Sequence, residues 1–203
     1  MKVTIARHGQ SDWNVLGKWC GNSDYARLTD KGKEHAERLC EMLKDEISMI
    51  YCSELTRAKE TAEPFIRYNL PVNYLSEMIE MNYGILEGTT KQERENTVYW
   101  KERKKDKLNY RIPEGESYAD LIERLKPAVK KILQSSQDSV LTIGHESVNR
   151  IILGSLLEIE PQKMINIRQP NSLVYFIDTE KKTCFWKDTI TKESKEGFYF
   201  INE

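Results

Sequence analysis

Short runs of apolar residues punctuate a polar chain, and most have the length of a strand. They are residues 3–6 (VTIA), 47–53 (ISMIYCS), 71–75 (PVNYL), 139–144 (SVLTIG) and 173–178 (LVYFID), with 183–188 (TCFWKD) as a final strand. Most are continuous rather than alternating, which predicts strands covered on both faces. Between them the apolar spacing becomes helical. In residues 29–44, Ala36, Leu39, Cys40 and Leu43 recur on one face behind Thr29, whose hydroxyl suits the first free amides of a helix. Ser53 stands in the same relation to residues 54–68. A third helix is predicted from Ser117, with Tyr118, Leu121, Ile122, Leu125, Val129 and Ile132 on one face. Pro127 is expected to kink or interrupt it, because proline removes an amide donor and crowds the preceding turn. Residues 145–159 form the fourth helix.

Strands alternating with helices predict an α/β fold, a three-layer sandwich with a mainly parallel central sheet and helices on both faces. Residues 89–116 break the alternation, being polar, partly helical and poor in apolar side chains. They read as a lid-like excursion over the sheet. No repeat or linker divides the chain, so residues 1–203 are expected to form one domain.

Composition narrows the partners. Hydrophobic content of 39% and charged content of 31% over 203 residues describe a soluble globular protein. A net charge of -1 gives no electrostatic reason to expect nucleic acid, so any anion site has to be a local cluster. No apolar run approaches the roughly 18 residues of a membrane span, and Lys2 opens no export signal. Cys20, Cys40, Cys52 and Cys184 are scattered without a CxxC pair, and there are just three histidines. No metal site is therefore expected, and a reducing, cytoplasmic setting is the expectation. Assembly as a homodimer is left open.

Three strands end in chemically loaded turns. The first delivers Arg7, His8 and Gly9, and the second Ser53 with Arg57 one turn into its helix. The 139–144 strand delivers His145, Glu146 and Ser147 at a helix start. Parallel strands place their carboxyl ends on one edge, so the three turns can converge. Two arginines, two histidines and free helix amides suit a compact oxyanion, phosphate foremost. Each residue alone has a plainer reading. A histidine at a strand end is more often structural, Arg57 has Glu54, Glu60 and Glu63 on its own helix, and His145 could cap its helix. His35, among Lys33, Glu34 and Glu37, reads as a surface residue.

The string RHGQSDWN at 7–14 resembles the signature of the histidine phosphatase superfamily, the phosphoglycerate-mutase-like proteins. Strings at 21–36 (GNSDYARLTDKGKEHA), 52–62 (CSELTRAKETA), 80–88 (EMNYGILEG), 114–118 (EGESY) and 143–150 (IGHESVNR) follow in the family's order. The resemblance implies a phosphomonoesterase of the histidine acid phosphatase type. His8 would become a phosphohistidine, with Arg7, Asn14, Arg57 and the Glu146 backbone amide on the phosphate and His145 as a further donor. Glu80, four residues before Gly84 in an E-x-x-x-G pattern, would protonate the leaving oxygen, with Glu77 or Glu87 as the alternative.

The implied substrate is a small phosphate ester, a sugar phosphate or a phosphoglycerate-like acid. Ser11, Gly21, Lys91, Tyr110 and Arg111 are the candidate substrate contacts. The stretch 109–127 looks like part of a fructose-2,6-bisphosphatase domain, with no kinase half expected. One alternative is a cofactor-dependent phosphoglycerate mutase, the only case in which a cofactor, 2,3-bisphosphoglycerate, would be needed. Ser11 and Lys91 favour it. Lys101 and Glu102 disfavour it, standing after Trp100 where mutases carry paired arginines. A second alternative is a catalytically silent phosphate binder. Glu146 departs from the glycine of many family members, and its carboxylate must turn from the phosphate or repel it.

Overall fold

A computed structural model describes residues 1–200; the last three residues of the expected domain lie outside the described residues. The elements run β1 (Lys2–Arg7), α1 (Asp12–Val15), α2 (Asp30–Leu43), β2 (Met49–Ser53), α3 (Thr56–Ile66) and β3 (Val72–Leu75). They continue through α4 (Lys91–Glu95), α5 (Val98–Lys105), α6 (Tyr118–Leu133), β4 (Ser139–Gly144), α7 (Glu146–Leu156) and α8 (Pro161–Met164). The chain then forms β5 (Leu173–Asp178), β6 (Thr183–Asp188) and β7 (Ser194–Glu196).

The strands form one sheet in the order β3-β2-β4-β1-β5-β6-β7. The pairs from β3 to β1 are parallel, whereas β1–β5, β5–β6 and β6–β7 are antiparallel. The sheet is thus mixed, where a mainly parallel one is the sequence expectation. For the last two pairs the reason is local: residues 179–182 and 189–193 are too short for a crossover, so β5, β6 and β7 fold back as hairpins. Lys182 and Lys192 adopt φ of 52° and 65° to make those turns. β7 carries no apolar signal, because all three of its residues are exposed.

Alternation along β1 divides the interior. Val3 and Ile5 join a core with α6, α7 and α8, including Leu121, Leu125, Ile151 and Met164. Ala6 joins the other face, where Leu39, Cys40, Leu43, Ala58 and Phe65 from α2 and α3 meet Ile50, Leu141 and Ile143. Each fully buried Leu, Ile or Phe contributes about 1.5–3 kcal/mol, and the two clusters clamp the sheet between helical layers. Helix α6 runs through Pro127, so of the expected kink or interruption the interruption does not occur. The proline ring is exposed on the outer face, so the carbonyl it leaves without an amide is not walled off from water.

Residues 89–116 are held down more firmly than a polar excursion suggests. Arg94 and Arg103 are buried. The Arg94 guanidinium carbon lies 4.4 Å from the ring centre of Trp19 and that of Arg103 5.5 Å from it, and Trp19 stacks on Tyr83 at 4.1 Å. Cation–π contacts of this kind replace aliphatic packing.

Candidate active site

The carboxyl ends of β1, β2 and β4 lie side by side, and their turns meet as the parallel register requires. The His8 amide donates to the Gly144 carbonyl at 3.0 Å, and the His8 and His145 ring centres are 5.2 Å apart. Gly9 lets α2 approach: a Cβ there would lie 2.4 Å from the Gly32 carbonyl oxygen. From α3, Thr61 accepts the Gly9 amide at 3.0 Å, tying the helix of Arg57 to the His8 turn.

His8 is buried, and its Nδ1 lies 2.7 Å from the Gly9 carbonyl oxygen. A carbonyl can only accept, so Nδ1 carries the ring proton and Nε2 keeps its lone pair. Burial, then Arg57 and Arg7, push the His8 pKa well below the usual imidazole range, so the ring is neutral. His145 is neutral for similar reasons: burial, then Arg57, His8 and Arg7. Its Nε2 pairs with Ser53 Oγ at 2.8 Å, while its Nδ1 is buried without a partner. Ser53 Oγ also accepts the Leu55 amide at 3.3 Å. With Ser53 donating to Nε2, the Nδ1 proton of His145 is left for a ligand.

The expected cap of α3 is therefore displaced. Leu55 takes the N-cap position with no side-chain bond, and Ser53 serves His145 instead. His145 occupies the N-cap position of α7 but makes no capping bond.

Arg57 is fully buried and donates to the carbonyls of Ser23 at 2.8 Å and Gly21 at 2.7 Å, with Nε unpartnered. Arg7 donates through one terminal nitrogen to Glu146 at 3.2 Å and the Gln169 carbonyl at 3.0 Å; its Nε is buried without a partner. Two guanidinium groups are thus aligned by the protein with donors left over.

Glu80 is buried, with one carboxyl oxygen accepting the Met81 amide at 2.8 Å and the other the Ser147 amide at 3.1 Å. Burial raises its pKa, outweighing those two amides and the nearby Arg7 and Arg57. A carboxyl group whose pKa burial pushes up can keep its proton above the usual carboxylate range, as a proton donor must. Ser147 extends the arrangement, since its hydroxyl meets Tyr83 at 2.7 Å and Tyr118 at 3.2 Å.

Asn14 is linked to the His8 turn through Asn171. Its side-chain oxygen accepts the Ser11 amide at 3.1 Å and Asn171 Nδ2 at 3.4 Å, and Asn171 also donates to the His8 carbonyl at 2.7 Å. The side-chain nitrogen of Asn14 has no hydrogen-bond partner among the described residues. The Glu146 carboxylate turns onto Arg7 at 3.2 Å, Arg150 at 3.0 Å and Arg168 at 2.5 Å. Burial opposes its ionisation, but the three arginines prevail and bring its pKa down to about 2. Its backbone N–H opens α7 and has no acceptor among the described residues.

The candidate substrate contacts divide. Ser11 is a cap: its hydroxyl accepts the Asn14 amide at 3.2 Å in a capping box at α1. Gly21, with φ of 52°, supplies its carbonyl to Arg57, and a Cβ there would strike the Glu87 carboxylate at 1.9 Å. Lys91 is 76% exposed with Glu95 at 3.9 Å, and Arg111 is 65% exposed, bonded to Asp120 at 2.6 Å. Tyr110 packs against the α6–α7 core. The structure does not gather these last three with the buried cations. His35 is the reverse case, buried in α2 with both ring nitrogens unpartnered rather than solvated. A groove of about 980 Å³, lined by Lys2, Phe176, Lys182 and Phe198 among others, contains none of the site residues.

Some of the machinery escapes sequence reading. Ser147, Tyr83 and Tyr118 lie inside the matching strings without an assigned role. Arg150 and Arg168 serve Glu146, and Gln169 and Asn171 sit in a loop with no pattern to mark them.

The pattern describing the histidine phosphatase superfamily (branch 1) matches residues 3–189. The chain belongs to this superfamily. Among curated relatives it is 32% identical over 174 residues to 6-phosphofructo-2-kinase/fructose-2,6-bisphosphatase 3 of Rattus norvegicus, covering 83% of this chain and 30% of that protein. It is 31% identical over 156 residues to 6-phosphofructo-2-kinase/fructose-2,6-bisphosphatase of Caenorhabditis elegans, covering 74% of this chain and 33% of the relative. The chain thus spans about a third of these superfamily relatives. Among solved structures, the alpha-ribazole phosphatase of Shigella flexneri superposes with a TM-score of 0.81 at 24% identity, covering 91% of this chain and 93% of that one. The mycobacterial glucosyl-3-phosphoglycerate phosphatase Rv2419c gives 0.79 at 20% identity, with 99% of each chain covered. These two similarities establish the superfamily fold.

Proposed function

We propose that this chain is a phosphomonoester hydrolase that acts on a small phosphorylated metabolite through a phosphohistidine on His8. The observation that carries the reading is the His8 Nδ1–Gly9 carbonyl bond of 2.7 Å, which leaves Nε2 as an unprotonated nucleophile among aligned cations. Nε2 attacks phosphorus in line, the N–P bond forming as the ester P–O bond breaks. Arg7, Arg57, the Nδ1 proton of His145, the Glu146 N–H and the Asn14 amide stabilise the equatorial oxygens. Glu80 gives its proton to the departing alkoxide. Its carboxylate then takes a proton from water, whose oxygen attacks phosphorus and breaks the N–P bond. Phosphate leaves, and both His8 and Glu80 return to their starting forms.

This chemistry calls for no metal or cofactor, since a neutral imidazole needs no activation. The mutase alternative draws no support from Ser11, whose hydroxyl is spent on α1, or from Lys91 at the surface. A silent binder would have no use for a buried, proton-holding Glu80 beside a neutral His8. Four unpaired cysteines support a reducing, cytoplasmic setting, and among the described residues no helix is long and apolar enough to cross a membrane. The test is turnover of a chromogenic phosphate ester by the wild type and His8→Ala. The reading expects hydrolysis by the wild type and a loss of at least about a thousandfold in the variant. Equal rates, or no hydrolysis of any ester in a broad panel, would count against it.

A further inference from the structure

Arg57 is aimed by carbonyl oxygens. Its terminal nitrogens donate to Gly21 at 2.7 Å and to Ser23 at 2.8 Å, so its direction depends on how residues 21–24 are held. That loop is gripped from two sides. Asp24 accepts the Thr56 amide at 2.7 Å and the Thr56 hydroxyl at 2.8 Å, which fastens the loop to the start of α3. On the other side, Glu87 Oε1 accepts the Asn22 amide at 2.9 Å. The same oxygen accepts the Tyr83 amide at 3.0 Å, three residues after Glu80.

The Asn22 N–H and the Gly21 carbonyl belong to one peptide unit, so they point in opposite directions from one rigid plane. Glu87 on the N–H side thereby sets where the carbonyl points on the Arg57 side. Without that acceptor the plane could turn, since glycine permits a wide range of backbone angles and Gly21 sits at φ of 52°. A Cβ on Gly21 would also meet Oε1 itself, so glycine at 21 and glutamate at 87 fit together as a pair. Burial raises the pKa of Glu87 as it does that of Glu80, but the two carboxyl groups serve different places. Glu80 reaches the Ser147 amide in the first turn of α7, beside His145, whereas Glu87 is bonded to the Asn22 loop.

We infer that Glu87 is a positioning residue for the reaction: its Oε1 locks the Gly21–Asn22 peptide, and through the Gly21 carbonyl it keeps Arg57 directed at the phosphoryl group. This rests on the hydrolase reading above and gives Glu87 a part distinct from proton donation. Because one oxygen holds both amides, the loop that aims Arg57 and the turn that follows Glu80 are joined at a single atom.

The test is a double-mutant cycle on hydrolysis of a nitrophenyl phosphate, with Glu87→Ala and Arg57→Ala made singly and together. Glu87→Ala should lower kcat/KM by about tenfold or more and weaken inhibition by inorganic phosphate by a similar factor. In the Arg57→Ala background the same change should cost less than about twofold, because the group it positions is gone. Glu87→Gln should recover most of the loss, since one carboxamide oxygen can still accept both amides. Glu87→Asp, one methylene short, should fall between the two, and it takes the place of the alanine variant in the cycle if that variant folds poorly. An equal loss in both Arg57 backgrounds would give Glu87 a general part in the fold. A glutamine variant as slow as the alanine one would make its charge, not its acceptor, the feature that counts. Either result, or an alanine variant as fast as the wild type, would overturn the inference while leaving the hydrolase reading intact. Failure of the wild type to hydrolyse the ester would instead remove the hydrolase reading and this inference with it.

Discussion

Nδ1 of His8 lies 2.7 Å from the carbonyl oxygen of Gly9, its own neighbour in the chain. That single bond sets the tautomer of the nucleophile. The residue that supplies the acceptor is also the one whose lack of a side chain lets α2 pack against the turn. Nucleophile and packing are thus coupled within two residues.

Glu80 should matter in proportion to how badly the leaving group needs a proton. Glu80→Gln is expected to slow hydrolysis of an alkyl phosphate by about 10²–10⁴-fold and that of a nitrophenyl phosphate far less. Its pKa is raised by burial, so the active protonated form persists above the ordinary carboxylate range and is lost as pH climbs through the raised value. The rate–pH profile with an alkyl phosphate checks this, and the variant should lack the falling limb on the alkaline side.

Ser53 is expected to act through His145. Ser53→Ala removes the hydroxyl at 2.8 Å from Nε2 and frees the ring to adopt the other tautomer. A loss of about tenfold in kcat/KM, with the folded state retained, is the expected outcome, a cost of about 1.4 kcal/mol. Steady-state kinetics beside a thermal melt distinguishes this from simple destabilisation.

His35 carries a prediction about stability rather than rate. Its buried ring has a pKa lowered to about 4, mainly by burial and then by Arg38. The unfolded chain takes up a proton near pH 6.5, which the folded chain refuses until about pH 4. The contribution is therefore complete above the unfolded value and is lost as pH falls across that window, amounting to about 2 kcal/mol by pH 5. His35→Leu should remove that part of the pH dependence, as urea unfolding at pH 7 and pH 5 would show.

Legibility in the sequence follows from how local each determinant is. The strand cores and the helix behind Thr29 were readable because apolar spacing and a capping hydroxyl lie within a few residues of each other. His8, Arg57 and His145 were readable as a set because parallel strands share an edge. The antiparallel half of the sheet depends on short turns and an exposed β7, which leave little apolar pattern. Ser53 reads as a cap in the sequence because its partner, His145, is 92 residues away. His35 looked solvated because charged neighbours on its helix hide the face that packs inward. Arg103 carried no signal, since only the fold brings it over Tyr83 and Tyr118.

The central claim is that Nε2 of His8 is the nucleophile, and the site of phosphorylation tests it most directly. The protein is mixed briefly with a phosphate ester, quenched in alkali, and analysed by phosphorus-31 NMR and peptide mass spectrometry. The account predicts one acid-labile phosphoryl group on His8, bonded through Nε2 and absent from His8→Ala. A phosphoryl group on Nδ1, on another residue, or on none while turnover proceeds would contradict it.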